Sequence, residues 1–574
     1  MAALKVTQFQ VGMLNTSIGA VGPDNDRQKG FYALGANGDF DMVGSNWKWN
    51  VYASRSVMQI HDKATHTPVT TRVAQATDAV TDPATGNIVC RTTLTNPKDG
   101  CIPYNAMGVG VNTQAAIDYA LSGTSEMHTR ILQDDFGGVL RGEPITLWAG
   151  PVSVALGVEH RYTGSFGSAT ATDIASGFFL GNYHPTIGHN ADTEAFIETV
   201  IPLAHETVWA RELDFNGAFR ETNYTVGGSV STFKLGATWD APEALDGIRL
   251  RGTYSRDIRA PSLGDLFAGG RVGQGAQNDP FGRDANGNPI TIAVPNVLSP
   301  TVGNPKLTPE IAHQTGIGAV YSPPWFPGFD MSFDAFNIDI KNVIAATGAG
   351  NVIFACYNGN QTYCPFIIRG PVVAGSPPGS VGPLLQIISA PANTAYEKEN
   401  GFDIESSYRK NLADFSDSLS GNVIFRFLAT KIAKQDTVDA LGIVTHAAGQ
   451  NNGGVPTWTY NISAGYDADV WAVTWTGRGI SSGTRNNNYT QCTSGCPVLV
   501  SPFFTVNDNY MPGAFYQDIN LTYRLKDIGV SSADLFLTID NLMDNNPDDF
   551  FVHNSNALYD RLGRTFRAGV RFKM

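Results

Sequence analysis

No stretch of this chain approaches the ~18 consecutive apolar residues that a membrane helix needs. Charged residues make up only 16% of its 574 positions, well below the about 25% usual in soluble domains. Excess positive charge is lacking too. The formal net charge is −13, which argues against a nucleic-acid partner, because a phosphate backbone calls for a basic face. Zinc and dinucleotide signatures are missing as well. There is no clustered pair of CxxC motifs of the kind that holds zinc. Gly273-Gln-Gly275 neither follows an apolar strand nor opens a helix, so it is no dinucleotide site. Neither an enzymatic activity nor a cofactor is expected. The opening Met1-Ala-Ala-Leu-Lys-Val-Thr-Gln has no basic segment leading into an apolar run, so it does not read as a signal peptide.

What the chain does have is 61 Gly, 31 Phe, 20 Tyr and 9 Trp, arranged with a period of two. In the last fourteen residues Leu562, Phe566, Ala568, Val570, Phe572 and Met574 fall on one face, and Thr565, Arg567, Arg571 and Lys573 on the other. Ile248, Leu250, Tyr254 and Ile258 alternate with Arg249, Arg251, Thr253 and Asp257, with Arg256 as the misfit. Trp471, Val473 and Trp475 alternate with Ala472, Thr474 and Thr476. We count roughly 17 such segments of about 10–15 residues, well beyond the 5–6 residues of an ordinary strand. With membrane helices excluded, only a closed barrel can cross a bilayer. The expected fold class is all-β, an antiparallel barrel with apolar residues turned to lipid and polar ones to a wet lumen. Aromatic residues crowd strand ends (Trp47, Trp49, Tyr52, Trp209, Trp325, Phe326, Tyr460, Tyr466, Trp471), as an interfacial girdle requires.

The connections are unequal. Residues 240–247, 322–328, 467–469 and 526–530 are short, whereas about 64–126, 162–189, 259–306, 344–393 and 483–511 are long. Counted backward from the C-terminus, the two classes fall on opposite ends of the strands as far as about residue 31. That is the asymmetry of short periplasmic turns and long extracellular loops. The six cysteines form three close pairs, Cys90/Cys101, Cys356/Cys364 and Cys492/Cys496, each inside one long connection. Six cysteines allow fifteen pairings. Local disulfides in an oxidising compartment are expected, with free thiols or a metal site as the alternative.

Several segments then resemble TonB-dependent receptors, the energised transporters of the Gram-negative outer membrane. Arg259-Ala-Pro-Ser-Leu-Gly-Asp-Leu-Phe267 is similar to that family's RAPxLxELF element, and Gly303-Asn-Pro-Lys-Leu-Thr-Pro-Glu310 to its GNPxLxPE. Asn541-Leu-Met-Asp-Asn-Asn-Pro547 resembles its NLFDxxP turn, and the terminus resembles its closing strand, with Met574 where Phe is usual. Cys90 to Cys101 looks like a loop of one large subgroup. The resemblance implies a barrel of about 22 strands, a plug and a TonB-contact box, none of the latter two recognisable before residue 31. The expectation is therefore a C-terminal receptor portion. Residues 1–30 read as a poorly defined segment, with a truncated barrel strand as one reading, and 31–574 read as the barrel.

By the same resemblance, the long loops would bind a siderophore, cobalamin or an oligosaccharide. Tyr357, Asn358, Asn360, Tyr363, Asn486, Asn487, Asn488 and Tyr489 are the candidate ligand groups, because aromatic and amide side chains suit sugars and catecholates. Phe566, Val570, Phe572 and Met574 would form the assembly strand read by the barrel assembly machinery. Outer-membrane lipid and the TonB complex are the other implied partners. His184 and His189 share one loop but are read as exposed polar residues rather than metal ligands, and Arg283 to Pro289 as a turn rather than a calcium loop. Asp403 and Glu405 share one strand face and are read as hydrating the lumen. A plugless passive pore and a secreted glycan-binding β-protein are the competing readings.

Overall fold

The computed structural model describes residues 21–42, 44–108, 110–179, 181–416, 418–439, 442–498, 503–525, 532–546 and 558–573. Within them the chain builds one large antiparallel sheet. Its strands are β1 (Gly22–Met42), β2 (Ser45–Thr67), β3 (Gly123–Leu147), β4 (Gly150–Ala169), β5 (Gly188–His205), β6 (Glu212–Tyr224), β7 (Gly228–Asp240) and β8 (Ile248–Arg259). They continue as β9 (Glu310–Tyr321), β10 (Phe329–Ala346), β11 (Pro391–Asn411), β12 (Asn422–Val438), β13 (Trp458–Asp467), β14 (Trp471–Ile480), β15 (Ala514–Leu525), β16 (Ser532–Asp540) and β17 (Thr565–Lys573). Each pairs antiparallel with the next. An eighteenth member, Val444–His446, only adds a short side pairing to β12. Among the described residues no ladder joins β17 to β1.

The count of seventeen agrees with the period-two reading, but the strands are less uniform than expected, from 9 residues in β17 to 25 in β3. β1 starts at Gly22, nine residues ahead of the boundary set at 31. Met574 and the turn at 526–530 lie outside the described residues.

Register makes the two faces consistent across strands. Leu250 pairs with Trp239 and Ala319, Val473 with Tyr466 and Leu521, and Leu521 with Leu537. On the terminal strand Phe566, Val570 and Phe572 stand opposite Ile539, Leu535 and Ala533. Among the described residues this apolar face has no protein layer over it: Ile317 is 67% exposed, Val158 62% and Phe566 65%. Contiguous apolar exposure on that scale marks a surface that meets something other than water. The opposite face carries most of the charges; on the apolar face Arg55 pairs with Asp134 at 2.6 Å, between Val51 and Val57 of β2.

The alternation of connections holds. β1–β2, β3–β4, β5–β6, β7–β8, β9–β10, β11–β12 and β13–β14 close by short turns at one end. At the other end run the long connections, except the three residues 225–227 between β6 and β7. Two of the short turns show why glycine is needed there. Gly328 has φ +91° and Gly247 φ +89°, and a Cβ would strike the carbonyl oxygen of Arg409 or Ser322. Aromatic rings gather at this turn end: Phe326 stacks on Trp325, Phe329 and Tyr408, and Tyr466 meets Trp471 edge-on. Tyr52 does not belong to that girdle. It sits on the charged face, its hydroxyl donating to Glu159 at 3.0 Å, because the register of β2 turns even-numbered residues away from the apolar side.

Candidate functional site

The long connections build a folded layer at one end of the sheet, with three small cores of their own. In the first, helices Thr70–Thr77 and Gln114–Leu121 bury Ala76, Tyr104, Ile117 and Leu121 together. Thr113 caps the second helix by accepting from the Ala116 amide at 3.2 Å. In the second, strands Gly269–Arg283, Pro289–Val302, Leu384–Ile387 and Ile367–Arg369 form a sheet against helix Ala349–Tyr357. Val297, Val352, Ile353, Leu384 and Ile387 fill it. Arg369 grips the buried Asp279 with two bonds of 2.7 and 2.8 Å and lies over the Phe281 ring. The third joins Met511, Ala514, Tyr516 and Tyr559. There Asn451 donates to the Ser481 carbonyl at 2.9 Å and to the Tyr559 hydroxyl at 3.2 Å.

All three cysteine pairs are disulfides inside this layer: Cys90–Cys101, Cys356–Cys364 and Cys492–Cys496, with Cα separations of 6.1, 4.9 and 5.7 Å. They close loops rather than join strands of the large sheet. Beside Cys101, the Thr92 hydroxyl holds the Asp99 carboxyl below the usual carboxylate range, aided by the Cys101 amide and the Thr93 hydroxyl. Asp284 receives the side chain and amide of Asn288, which hold its carboxyl low and make it a hairpin turn. His184 and His189 do not converge. His184 lies 3.4 Å from the Ser176 hydroxyl and His189 stacks on Tyr162.

The candidate ligand residues fall into two groups, each engaged within its own part of the layer. Tyr357 ends the helix Ala349–Tyr357, edge-on to Phe281, and stays 43% exposed. The Asn358 amide donates to the Phe354 carbonyl, the Asn360 side chain accepts from the Thr362 amide, and Tyr363 packs on the second core. In the other group the Asn487 side chain donates to the carbonyls of His446 and Ala448 at 2.8 Å each. Asn486 accepts from the Asn488 amide, the Asn488 side chain reaches the Val444 carbonyl, and Tyr489 meets Phe504 edge-on. These amides tie one loop to the next, so Tyr357 keeps the freest aromatic surface.

The charged face holds groups that motif reading passed over. Arg161 pairs with Asp135 at 2.7 Å and with Glu159, Arg220 with Glu194 at 2.8 Å, Arg251 with Asp334 at 2.6 Å, and Arg478 with Asp518 at 2.8 Å. Glu405 pairs with Arg426, and Asp403 accepts from Thr430. A cavity of about 420 Å³ is lined there by Arg161, Asp192, Glu194, Arg220, Tyr224 and Asp257. A larger one of about 910 Å³ lies toward the turn end, with Lys48, Arg141, Glu143, Glu198 and Lys234 in its wall. Such cross-strand ion pairs were legible only as alternation; the partners are named by register.

The comparisons bear on this architecture. The family model described as TonB dependent receptor-like, beta-barrel matches residues 7–542. Comparison with curated proteins gives no match. Among solved structures, the siderophore receptor PirA from Acinetobacter baumannii is similar at TM-score 0.55 and 16% identity, covering 96% of this chain and 62% of that one. A mutant of the ferric enterobactin receptor PfeA from Pseudomonas aeruginosa is similar at TM-score 0.48 and 14% identity, covering 92% and 62%. The chain thus spans under two thirds of the length of these two structures. With the family model covering nearly the whole chain, and a polar-lined, apolar-coated sheet carrying its loops at one end, the chain belongs to the TonB-dependent receptor β-barrel family of the Gram-negative outer membrane.

Proposed function

We propose that this chain is the barrel of a receptor for energised uptake of a scarce, large solute across the outer membrane, and that it performs no chemistry on that solute. The observation that carries the reading is the folded, disulfide-closed layer standing over a charge-lined inner face. Loops with their own cores and staples keep a binding surface in shape where it faces the medium. The ion pairs of the inner face, with neighbouring Asp192 and Tyr224, offer many donors and acceptors to a hydrated solute. On this reading the apolar face meets outer-membrane lipid, β17 carries the signal for barrel assembly, and TonB contact is made by a plug segment of the receptor.

The solute class follows the family: a siderophore, as for the similar siderophore receptor PirA, or cobalamin or an oligosaccharide. Tyr357, Asn358, Asn360, Tyr363 and Asn486 to Tyr489 border the capture surface, with Tyr357 the residue most open to stacking. The test is accumulation by intact cells. A host lacking its own receptors, given the full-length receptor, should concentrate one labelled solute of these three classes. Uptake should stop when a protonophore collapses the proton gradient. Uptake that continues after that collapse contradicts the energised reading and favours a passive pore.

A further inference from the structure

One group on the outside of the sheet has no place in solute capture. His61 on β2 stands directly opposite His128 on β3 in the ladder. Their rings are stacked, 4.2 Å between centroids and 15° apart. Glu126, two residues before His128, is on the same face. Its Oε1 lies 2.7 Å from His61 Nε2 and 3.4 Å from His128 Nε2. Among the described residues this is the one cluster in which three metal-ligating side chains bring an atom each within 4.8 Å of one another.

Those distances fit a cation at the centre. Ligand bonds of about 2.0–2.1 Å in tetrahedral geometry set ligand atoms about 3.3 Å apart; the contacts of 2.7 and 3.4 Å bracket that spacing, and the stacked rings would turn about their Cβ–Cγ bonds to aim both Nε2 lone pairs at one centre. A carboxylate that merely needed a partner would be satisfied by one imidazole. Here a second ring nitrogen also lies 3.4 Å from the same oxygen.

The support behind Glu126 is unusually firm. Its backbone amide donates at 3.0 Å to Asp173, which is fully buried. The same carboxylate also accepts from the Ser125 and Thr170 hydroxyls and from the Tyr183 amide at 2.9 Å. The β4–β5 connection thus fixes the start of β3. Asp26 on β1 stands opposite His61 in register and shares with His61 and His128 a concavity of about 400 Å³. It offers a further oxygen on that side. Lys63, opposite Glu126, and Arg130 are cations of this face near the cluster, with Arg55 further along β2 and paired to Asp134.

Position separates the group from the inner face. His61 follows Val51 and Val57 on the apolar side of β2, and His128 precedes Leu132 and Phe136 on that of β3. Four residues separate His61 from Val57, about 13 Å along the strand toward the loop end. That places the cluster just beyond the apolar band.

We propose that His61 Nε2, His128 Nε2 and Glu126 Oε1 bind one divalent first-row transition-metal cation of the Zn²⁺ type. The site clips β2 to β3 at the loop end of the outer face. Two imidazoles and one carboxylate suit Zn²⁺, Ni²⁺ or Cu²⁺ rather than Mg²⁺ or Ca²⁺, which take oxygen ligands.

The test uses the full chain, free of any histidine tag, folded in detergent and checked by heat-modifiable migration. Zn²⁺ titrated against a chromophoric chelator should fill one saturable site, and Co²⁺ should give the visible absorption of a low-coordinate complex. Removing a supporting group around a metal typically costs about 10–100-fold in affinity. His61→Gln, His128→Gln and Glu126→Gln should each weaken Zn²⁺ by at least that much, and His205→Gln should leave it unchanged. Absence of a saturable site in folded protein overturns the proposal. So does binding that survives the double change His61→Gln/His128→Gln.

Discussion

Replacing Ile519 by arginine separates a lipid-facing wall from a packed core. Ile519 lies on the apolar face of β15 between Trp475 and Ile539, and the aromatic pair Trp471–Tyr523 marks the turn-end boundary four residues away. Four residues are about 13 Å of strand, or roughly 9 Å of depth at a tilt of about 45°. In an apolar band about 25 Å tall, that is close to the midplane, where an outward arginine costs about 2–4 kcal/mol. The adjacent Asn520 points to the charged face and is exposed, and its side chain accepts one bond of 2.7 Å from Thr538. Asn520→Arg loses that bond, about 1 kcal/mol, and keeps its head hydrated. The two variants differ by one position in sequence, yet Ile519→Arg should be less stable by about 2 kcal/mol. Urea titration of tryptophan fluorescence in phospholipid vesicles reads the difference. Equal costs, or a larger cost at Asn520, would refute the assignment of faces.

Reduction of Cys90–Cys101, Cys356–Cys364 and Cys492–Cys496 should leave the far-ultraviolet strand signal intact while making the loops sensitive to protease, because each bridge closes a local loop. Asp173→Ala should strip the amides of Glu126 and Tyr183 of their acceptor, at a cost of about 3 kcal/mol for a buried charged acceptor. Hydrogen exchange should speed up at those two amides and not in β13–β15. The Asp99 carboxyl is held low in the folded loop, first by the Thr92 hydroxyl. A depressed folded pKa gives stabilisation that is full above the unfolded value near 3.9 and is lost as pH falls through the folded value. Exchange protection at Cys101 should therefore hold at pH 5 and fall below about pH 4. Protection unchanged down to pH 2 would contradict the bond.

How much of this was legible depends on how far apart the contacting residues lie. Alternation is local, so Leu250 against Arg251 or Val570 against Arg571 assigns a face without knowledge of any neighbour. The same holds for short turns, where Gly247 and Gly328 announce themselves, and for cysteines 4 to 11 residues apart. Register across long loops is not local. The bond from Arg369 to Asp279 spans 90 residues, and the pairing of His61 with Glu126 spans 65. No spacing rule predicts either one. Tyr52 misled because its type suits an aromatic girdle, whereas its parity on β2 sends it inward. Asn486 to Asn488 invited a binding role through their amides, and the structure employs those of Asn487 and Asn488 in tying neighbouring loops together and that of Asn486 within its own loop. The folded layer as a whole was unreadable for the same reason, since its second core gathers Val297 from one connection and Ile353 and Ile387 from another.

The central claim is that hydrocarbon covers one side of every strand of this sheet. Spin labels placed singly along β15 from position 517 to 524, in protein reconstituted in vesicles, report it directly by collision with oxygen dissolved in lipid and with a nickel chelate dissolved in water. The account predicts strict alternation: odd positions relaxed by oxygen, even positions by the chelate. Odd positions shielded from both reagents would mean that protein, not lipid, lies against that face.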